Sequence, residues 1–76
     1  MQQLVEYLIE SIVDEPEAVQ VTPVEDDGMT VYQVEVAQPD LGQVIGRHGR
    51  TADALRIVVG AAAQKRNVRA TVDIIS

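Results

Sequence analysis

The chain has 76 residues and no cysteine, which allows one small domain and excludes disulfide stapling, thiol catalysis and thiolate metal sites. Hydrophobic residues make up 46% and charged residues 24%, proportions typical of a globular domain rather than a disordered segment. The first residues have no basic flank, and no apolar run is long enough to span a membrane. We therefore expect a cytoplasmic protein.

The charges are distributed unevenly along the chain. Residues 1–40 contain ten acidic side chains and no Lys or Arg, whereas residues 41–76 contain all six basic side chains and two acidic ones. The two parts have net charges of −10 and +4, which together give the overall −6. Such an asymmetry indicates a localised anion site in the second part, and one side of the protein could face nucleic acid.

A helix and a strand hairpin are predicted in the first half. The helix is indicated by apolar residues at three- and four-residue spacing, namely Leu4, Val5, Leu8, Ile9, Ile12 and Val13. Pro16 is predicted to end it. The first strand contains Val19 and Val21, and its Pro23 indicates a sheet edge or a bulge. Asp27-Gly28 predicts a tight turn into a second strand, which places Tyr32, Val34 and Val36 on one face.

Two helices and a third strand are predicted in the second half. Asp40 is expected to cap a short helix that ends before Gly46. A long helix is predicted from Arg50 or Thr51 to about Arg66, with Asn67 as its stop. The third strand is indicated by the alternating residues Val68, Ala70, Val72 and Ile74. The order helix, strand, strand, helix, helix, strand predicts one α+β domain over residues 1–76, a three-stranded sheet covered on one face by three helices.

The segment from Val44 to Arg50 is the most informative part of the chain for function. It reads Val-Ile-Gly-Arg-His-Gly-Arg, with two glycines three positions apart between two predicted helices. Glycine has no Cβ, so the backbone can turn sharply there and approach a ligand closely. The next helix begins with unpaired N–H groups, and Arg47, His48 and Arg50 add charge beside them. This pattern predicts a site for the phosphates of a nucleic acid.

With this segment the chain resembles a KH domain, whose signature Ile-Gly-x-x-Gly matches Ile45 to Gly49. The element order, with an extra helix and strand before the core and none after it, is similar to the type II bacterial arrangement. Residues 14–19, Asp-Glu-Pro-Glu-Ala-Val, and residues 44–56 resemble the small bacterial single-KH RNA-binding proteins of the KhpA type. The likeness covers essentially the whole chain.

The resemblance implies a non-enzymatic protein without a cofactor that clamps about four nucleotides of single-stranded RNA by their backbone. It implies that Gly46, Arg47, His48 and Gly49 form the clamp, with Arg50 beside it, and that Val44 lines the groove floor where bases rest. It also implies pairing with a second copy or with a larger Jag-like RNA-binding protein. Post-transcriptional regulation or RNA chaperoning is the expected role.

The long helix independently indicates an interface. One of its faces, with Ala52, Leu55, Val59 and Ala62, suits the core, and a polar stripe lies beside it. A second apolar strip is left over, consisting of Ala54, Ile57, Val58 and Ala61. A single sheet cannot cover both faces, so this strip predicts a contact that a symmetric dimer would use twice.

Other interpretations of the same residues are weaker. Gly49-Arg50-Thr51 is similar to the Gly-Lys-Thr of a P-loop, but Val44 stands where that motif needs its first glycine, and a helix precedes it. His48 is the only histidine, so neither a metal site nor acid–base catalysis is expected. The acidic run at residues 25–27 lies on a predicted turn, where a solvated surface is the simpler interpretation.

The aromatic content and the net charge bear on the class of function. Tyr7 and Tyr32 are the only aromatic residues, which argues against RRM, cold-shock and OB surfaces that stack bases on several rings. The charge of −6 leaves a second hypothesis open, namely a KH-shaped adaptor that uses its apolar helix strip for a protein partner and binds no RNA.

Overall fold

The computed structural model describes residues 1–75. The predicted order of six elements is confirmed: α1 Gln2–Glu10, β1 Gln20–Asp26, β2 Met29–Glu35, α2 Leu41–Ile45, α3 Arg50–Lys65 and β3 Ala70–Ile74. Three short 3-10 turns at Pro16–Ala18, Gln38–Asp40 and Arg47–Gly49 join them. The last residue of the predicted domain lies outside the described part of the chain.

The three strands form one mixed sheet in the order β1-β2-β3. β1 and β2 are antiparallel, and the turn between them has positive φ angles at Asp27 (52°) and Gly28 (83°), as a tight type I′ hairpin requires. Pro23 lies on β1, which is an edge strand, as predicted. β2 and β3 are parallel, so α2 and α3 form the crossover between them.

The core lies between the helices and one face of the sheet. Its buried residues come from every helix and strand: Val5, Ile9, Val21, Tyr32, Val34, Val44, Leu55, Val59 and Val72. α1 contacts β1, and α3 contacts β3 and α1. The buried face of α3 contains Ala52, Leu55 and Val59, as predicted. Its fourth buried residue is Ala63 rather than the predicted Ala62. The expectation of an α+β sandwich with helices on one side is confirmed.

The first helix is shorter than predicted. It ends at Glu10, with Ser11 as its C-cap, well before Pro16. Ile12 and Val13 therefore lie outside the helix, although Val13 is still buried in the core. The apolar spacing extended past the helix because the turn that follows also packs against the core.

Asp40 has a different role from the expected one. Its side chain makes no capping bond to α2. Instead it is 1% exposed and accepts two hydrogen bonds from the chain after α1: the backbone N–H of Asp14 donates to Oδ1 (3.1 Å) and that of Glu15 to Oδ2 (3.0 Å). A buried carboxylate requires such donors, and here it joins the end of the α1 segment to the start of α2.

The end of α3 agrees with the predicted stop at Asn67. Asn67 has φ 58°, the left-handed conformation that Asn tolerates better than most residues. The Val68 N–H donates to the Ala63 carbonyl and the Asn67 N–H to the Gln64 carbonyl, both near 3.0 Å, which is a Schellman-type ending. Val68 precedes β3 and is half exposed, so the third strand begins at Ala70.

Candidate nucleic-acid interface

The segment between α2 and α3 is a compact turn built on positive φ angles. Gly46 has φ 79° and ψ 168°, and His48 and Gly49 follow with φ 57° and 74°. The Gly46 N–H donates to the Gly42 carbonyl (2.8 Å), and the Gly49 N–H donates to the Gly46 carbonyl (3.1 Å). The predicted break between two helices is therefore present, and four residues join α2 to α3.

Gly46 is required by both conformation and space. Its φ and ψ fall in a region that is essentially restricted to glycine. A Cβ at this position would also collide with the side chain and the backbone nitrogen of Thr51 in the first turn of α3. The close contact between Gly46 and Thr51 sets the angle at which α3 leaves the turn.

Gly49 has a different environment. It is the N-cap of α3 in a left-handed conformation, and apart from its immediate chain neighbours no heavy atom of the described chain lies within 4 Å of where its Cβ would be. The space over Gly49 is therefore open to a ligand. In residues 1–75, no side chain caps the N-terminus of α3, which leaves its partial positive charge facing outward.

The charged residues of the turn are exposed. Arg47, His48 and Arg50 are all exposed, and within the described part of the chain no carboxylate lies within ion-pairing distance of either arginine. Two guanidinium groups and one imidazole thus surround a turn of accessible backbone. Charge-assisted hydrogen bonds to phosphate oxygens are the chemistry that such a group of donors favours.

Val44 is placed differently from the other predicted site residues. It is fully buried in the core, with 0% exposure, so its side chain offers no surface to a base in this structure. The structure brings Gly46, Arg47, His48, Gly49 and Arg50 together at one surface turn, and Val44 supports that turn from beneath.

The second apolar strip on α3 is exposed along its length. Ile57 is 72% and Val58 47% exposed, and Ala54 and Ala61 on the same strip are exposed too. An apolar strip of this kind on a small protein is typical of an interaction surface.

The contacts of Arg56 were not predicted from the sequence. Its Nε–H donates to the Val72 carbonyl on β3 (3.1 Å), and its Nη1 pairs with Asp53 Oδ1 (3.1 Å). Arg56 follows Gly49 by seven residues, which is about two helical turns, so both lie on the same face of α3. The seven-residue spacing between Gly49 and Arg56 was the available signal in the sequence. The contact with β3 could not be predicted from it, because only the crossover between β2 and β3 brings β3 beside Arg56.

A sequence model described as the KH domain of KhpA and KhpB matches residues 2–74. The chain belongs to the KhpA/KhpB family of KH domains. A protein of Clostridium acetobutylicum named "RNA-binding protein KhpA" is 45% identical over 75 residues, covering 99% of this chain and 100% of the relative. Proteins with the same name from Clostridium perfringens and Chlamydia pneumoniae are 44% and 36% identical, covering 99% and 97% of this chain and 100% and 95% of those relatives.

Membership in the KhpA/KhpB family confirms the resemblance stated from the Gly-x-x-Gly segment. It also agrees with the prediction of a non-enzymatic protein, because a KH domain is not an enzyme family. No helix in residues 1–75 is long and apolar enough to cross a membrane. Within the same residues, no group of His, Asp and Glu side chains is arranged to hold a metal ion.

Proposed function

We propose that this protein is a cytoplasmic, non-enzymatic RNA-binding protein that clamps the backbone of single-stranded RNA with the turn at residues 46–49. The observation on which the proposal depends is the open, positively charged surface over Gly49 in a chain of the KhpA/KhpB family. The relatives are named RNA-binding proteins, which supports the same class of ligand.

The clamp uses main-chain donors and a few cations. A phosphate group approaches over Gly49, where no Cβ blocks it, and meets the positive end of α3. Arg47 and Arg50 hold neighbouring phosphate oxygens, and His48 offers a further hydrogen bond. Only two or three phosphates are neutralised in this way, so one clamp binds loosely and its affinity falls steeply with salt.

Pairing compensates for the weak grip of one clamp. The α3 strip of Ala54, Ile57, Val58 and Ala61 is the proposed contact, with a second copy or a larger Jag-like KH protein as the partner. Two clamps held together bind one strand with higher effective concentration than two free ones. A protein that grips many RNAs weakly suits post-transcriptional regulation or RNA chaperoning.

The clamp is tested by a charge reversal with a matched control. The double variant Arg47→Asp with His48→Asp and the control Arg66→Asp with Gln64→Asp change the net charge equally. The control residues are exposed near the far end of α3, about 24 Å along its axis from the turn. Affinity for short unstructured RNA is measured by fluorescence anisotropy at two salt concentrations.

We expect the turn variant to lose about 10-fold or more in affinity, since charge-assisted contacts contribute about 1.5–3 kcal/mol each. The control should lose much less, and the wild type should show a salt slope of about −1.4 to −2.1, from about 0.7 per phosphate. Equal losses of RNA affinity in both variants would contradict the proposal that the turn at residues 46–49 is the clamp. No RNA binding by the wild type would favour the adaptor hypothesis, for which the −6 charge is the supporting observation.

A further inference from the structure

His48 lies within the turn that forms the proposed clamp, between Gly46 and Gly49. Its side chain is exposed, and its backbone has a left-handed φ of 57°, which histidine adopts more readily than most residues. In the part of the chain that the structure describes, no carboxylate lies within ion-pairing distance of the imidazole. The ring is therefore accessible to a ligand bound at the turn.

The charged groups around His48 are few and mostly positive. α2 and α3 pack against the turn. α2 carries no titratable side chain, and the first turn of α3 carries Arg50 and Asp53. Asp53 is paired with Arg56 (3.1 Å), so the charges beside the ring are those of Arg47, Arg50 and the N-terminus of α3. A phosphate supplies the opposite charge.

The two kinds of basic side chain at the turn respond differently to pH. A guanidinium stays charged at every pH that proteins tolerate, whereas an imidazole gains or loses its charge near neutral pH. Neutral imidazole has one N–H donor, and imidazolium has two and a positive charge. A charge-assisted hydrogen bond to a phosphate oxygen is about twice as strong as a neutral one. The contribution of the histidine to RNA binding therefore depends on pH, and that of the arginines does not.

We propose that His48 makes the affinity of the clamp for RNA pH-dependent, because its ring takes up a proton when a phosphate binds beside it. The inference rests on the proposed function, since the RNA held in the clamp supplies the phosphate. The complex then holds more protons than the free protein, so lowering the pH favours the complex. With the proton bound, three cationic side chains face the phosphates, and without it two do.

The test measures the affinity of the full-length protein for oligouridine at a lower pH of about 5.5 and a higher pH of about 8, which bracket the titration of imidazole. Uracil and the phosphodiester keep their charges over this range, and carboxyl groups as a class titrate below it. Anisotropy is read from a dye that does not titrate there. Salt slopes are measured at both pH values.

Three variants accompany the wild type. His48→Asn retains a residue type that tolerates the left-handed conformation and cannot gain a charge, and His48→Lys is charged at both pH values. His48→Asn combined with Gln64→His moves the only histidine to an exposed position near the far end of α3. All three keep the amino terminus, a group that as a class also titrates in this range, so its contribution is unchanged in them.

For the wild type we expect about 3- to 10-fold tighter binding at the lower pH, with the salt slope changing from about −1.4 to about −2.1 because a third phosphate is neutralised. His48→Asn should show the weaker affinity and the shallower slope at both pH values. His48→Lys should show the tighter affinity and the steeper slope at both. The variant with the relocated histidine should behave as His48→Asn does.

Two results overturn the inference and leave the clamp intact: a wild-type affinity that does not change with pH, or a full pH dependence in His48→Asn or in the relocated variant. A wild type that binds no oligouridine at either pH overturns the clamp as well.

A measurement on the wild type alone covers the case in which the His48 variants unfold. The ring-proton NMR signal of the only histidine is followed against pH, with and without bound oligouridine. The midpoint of this titration should move to higher pH when RNA is bound, because binding and protonation favour each other reciprocally. An unchanged or lower midpoint in the complex overturns the inference.

Discussion

Gly46 and Gly49 are required for different physical reasons. Gly46 adopts a conformation closed to other residues and lies against Thr51, whereas Gly49 has only a left-handed φ of 74° and open space around it. The spacing of the pair was visible in the sequence. Which glycine supports the fold and which opens the surface depends on the approach of α3.

Gly46→Ala and Gly49→Ala should therefore differ in stability. For Gly49→Ala we expect a loss of about 1–2 kcal/mol in the free energy of unfolding, the usual penalty of a left-handed conformation. Gly46→Ala adds a steric collision that costs about 1–3 kcal/mol more. Urea denaturation of both variants measures the difference, and equal losses would contradict the packing argument.

Asp40 shows the same dependence on tertiary contacts. Asp40→Ala removes the acceptor of two backbone N–H groups in a site that is 1% exposed. We expect a loss of about 2–5 kcal/mol in unfolding free energy, because charged hydrogen bonds contribute about 1.5–3 kcal/mol each and the donors are left without a partner. Asp26→Ala, at an exposed position, is the control and should change little. Thermal and urea unfolding that left Asp40→Ala unchanged would exclude the structural role.

At the scale of elements, the helical and strand patterns predicted type and order well and boundaries less well. The hairpin was predictable because Asp27-Gly28 sets the turn locally. The end of α1 was not, because Ile12 and Val13 continue the apolar spacing after the helix has stopped at Glu10. Apolar periodicity indicates which residues are buried. A turn that packs on the core also needs apolar residues, so the pattern does not show where the helix ends.

The end of α3 gives a prediction at this scale. Asn67→Ala should lower the free energy of unfolding by about 1 kcal/mol, since alanine adopts the left-handed conformation poorly, whereas Asn67→Gly should be neutral or slightly stabilising. Thermal unfolding of the two variants is the measurement. Equal thermal stability of the two variants would contradict this prediction and would mean that the Schellman hydrogen bonds alone determine where α3 ends.

At the scale of the whole molecule, charge and apolar surface are both unevenly distributed. The positive charges of the turn lie at the start of α3, and the exposed apolar strip follows along the same helix. If the turn binds RNA as proposed, the acidic remainder of the protein should discourage contact with anionic polymers elsewhere on the surface.

Val58→Asp tests self-pairing. The residue is 47% exposed, and an unpaired carboxylate in a two-fold contact costs several kcal/mol, so we expect dimer affinity to fall by about 100-fold or more while the fold persists. Val68→Asp, at a residue 50% exposed off the strip, is the matched control. Sedimentation equilibrium measures the mass. A wild type that stays monomeric at high concentration would remove the self-pairing proposal.

The sequence by itself determined the element order, the hairpin, the exposed cationic turn between two helices and the second apolar strip, because each depends on neighbours within a few positions. Only the tertiary structure decided that Val44 is buried, that Asp40 bonds to the segment after α1, and that Arg56 reaches the edge of β3. These contacts join residues 16 to 26 positions apart. No local pattern specifies them, since they form only when the parallel crossover places α3 beside β3 and the turn after α1 beside α2.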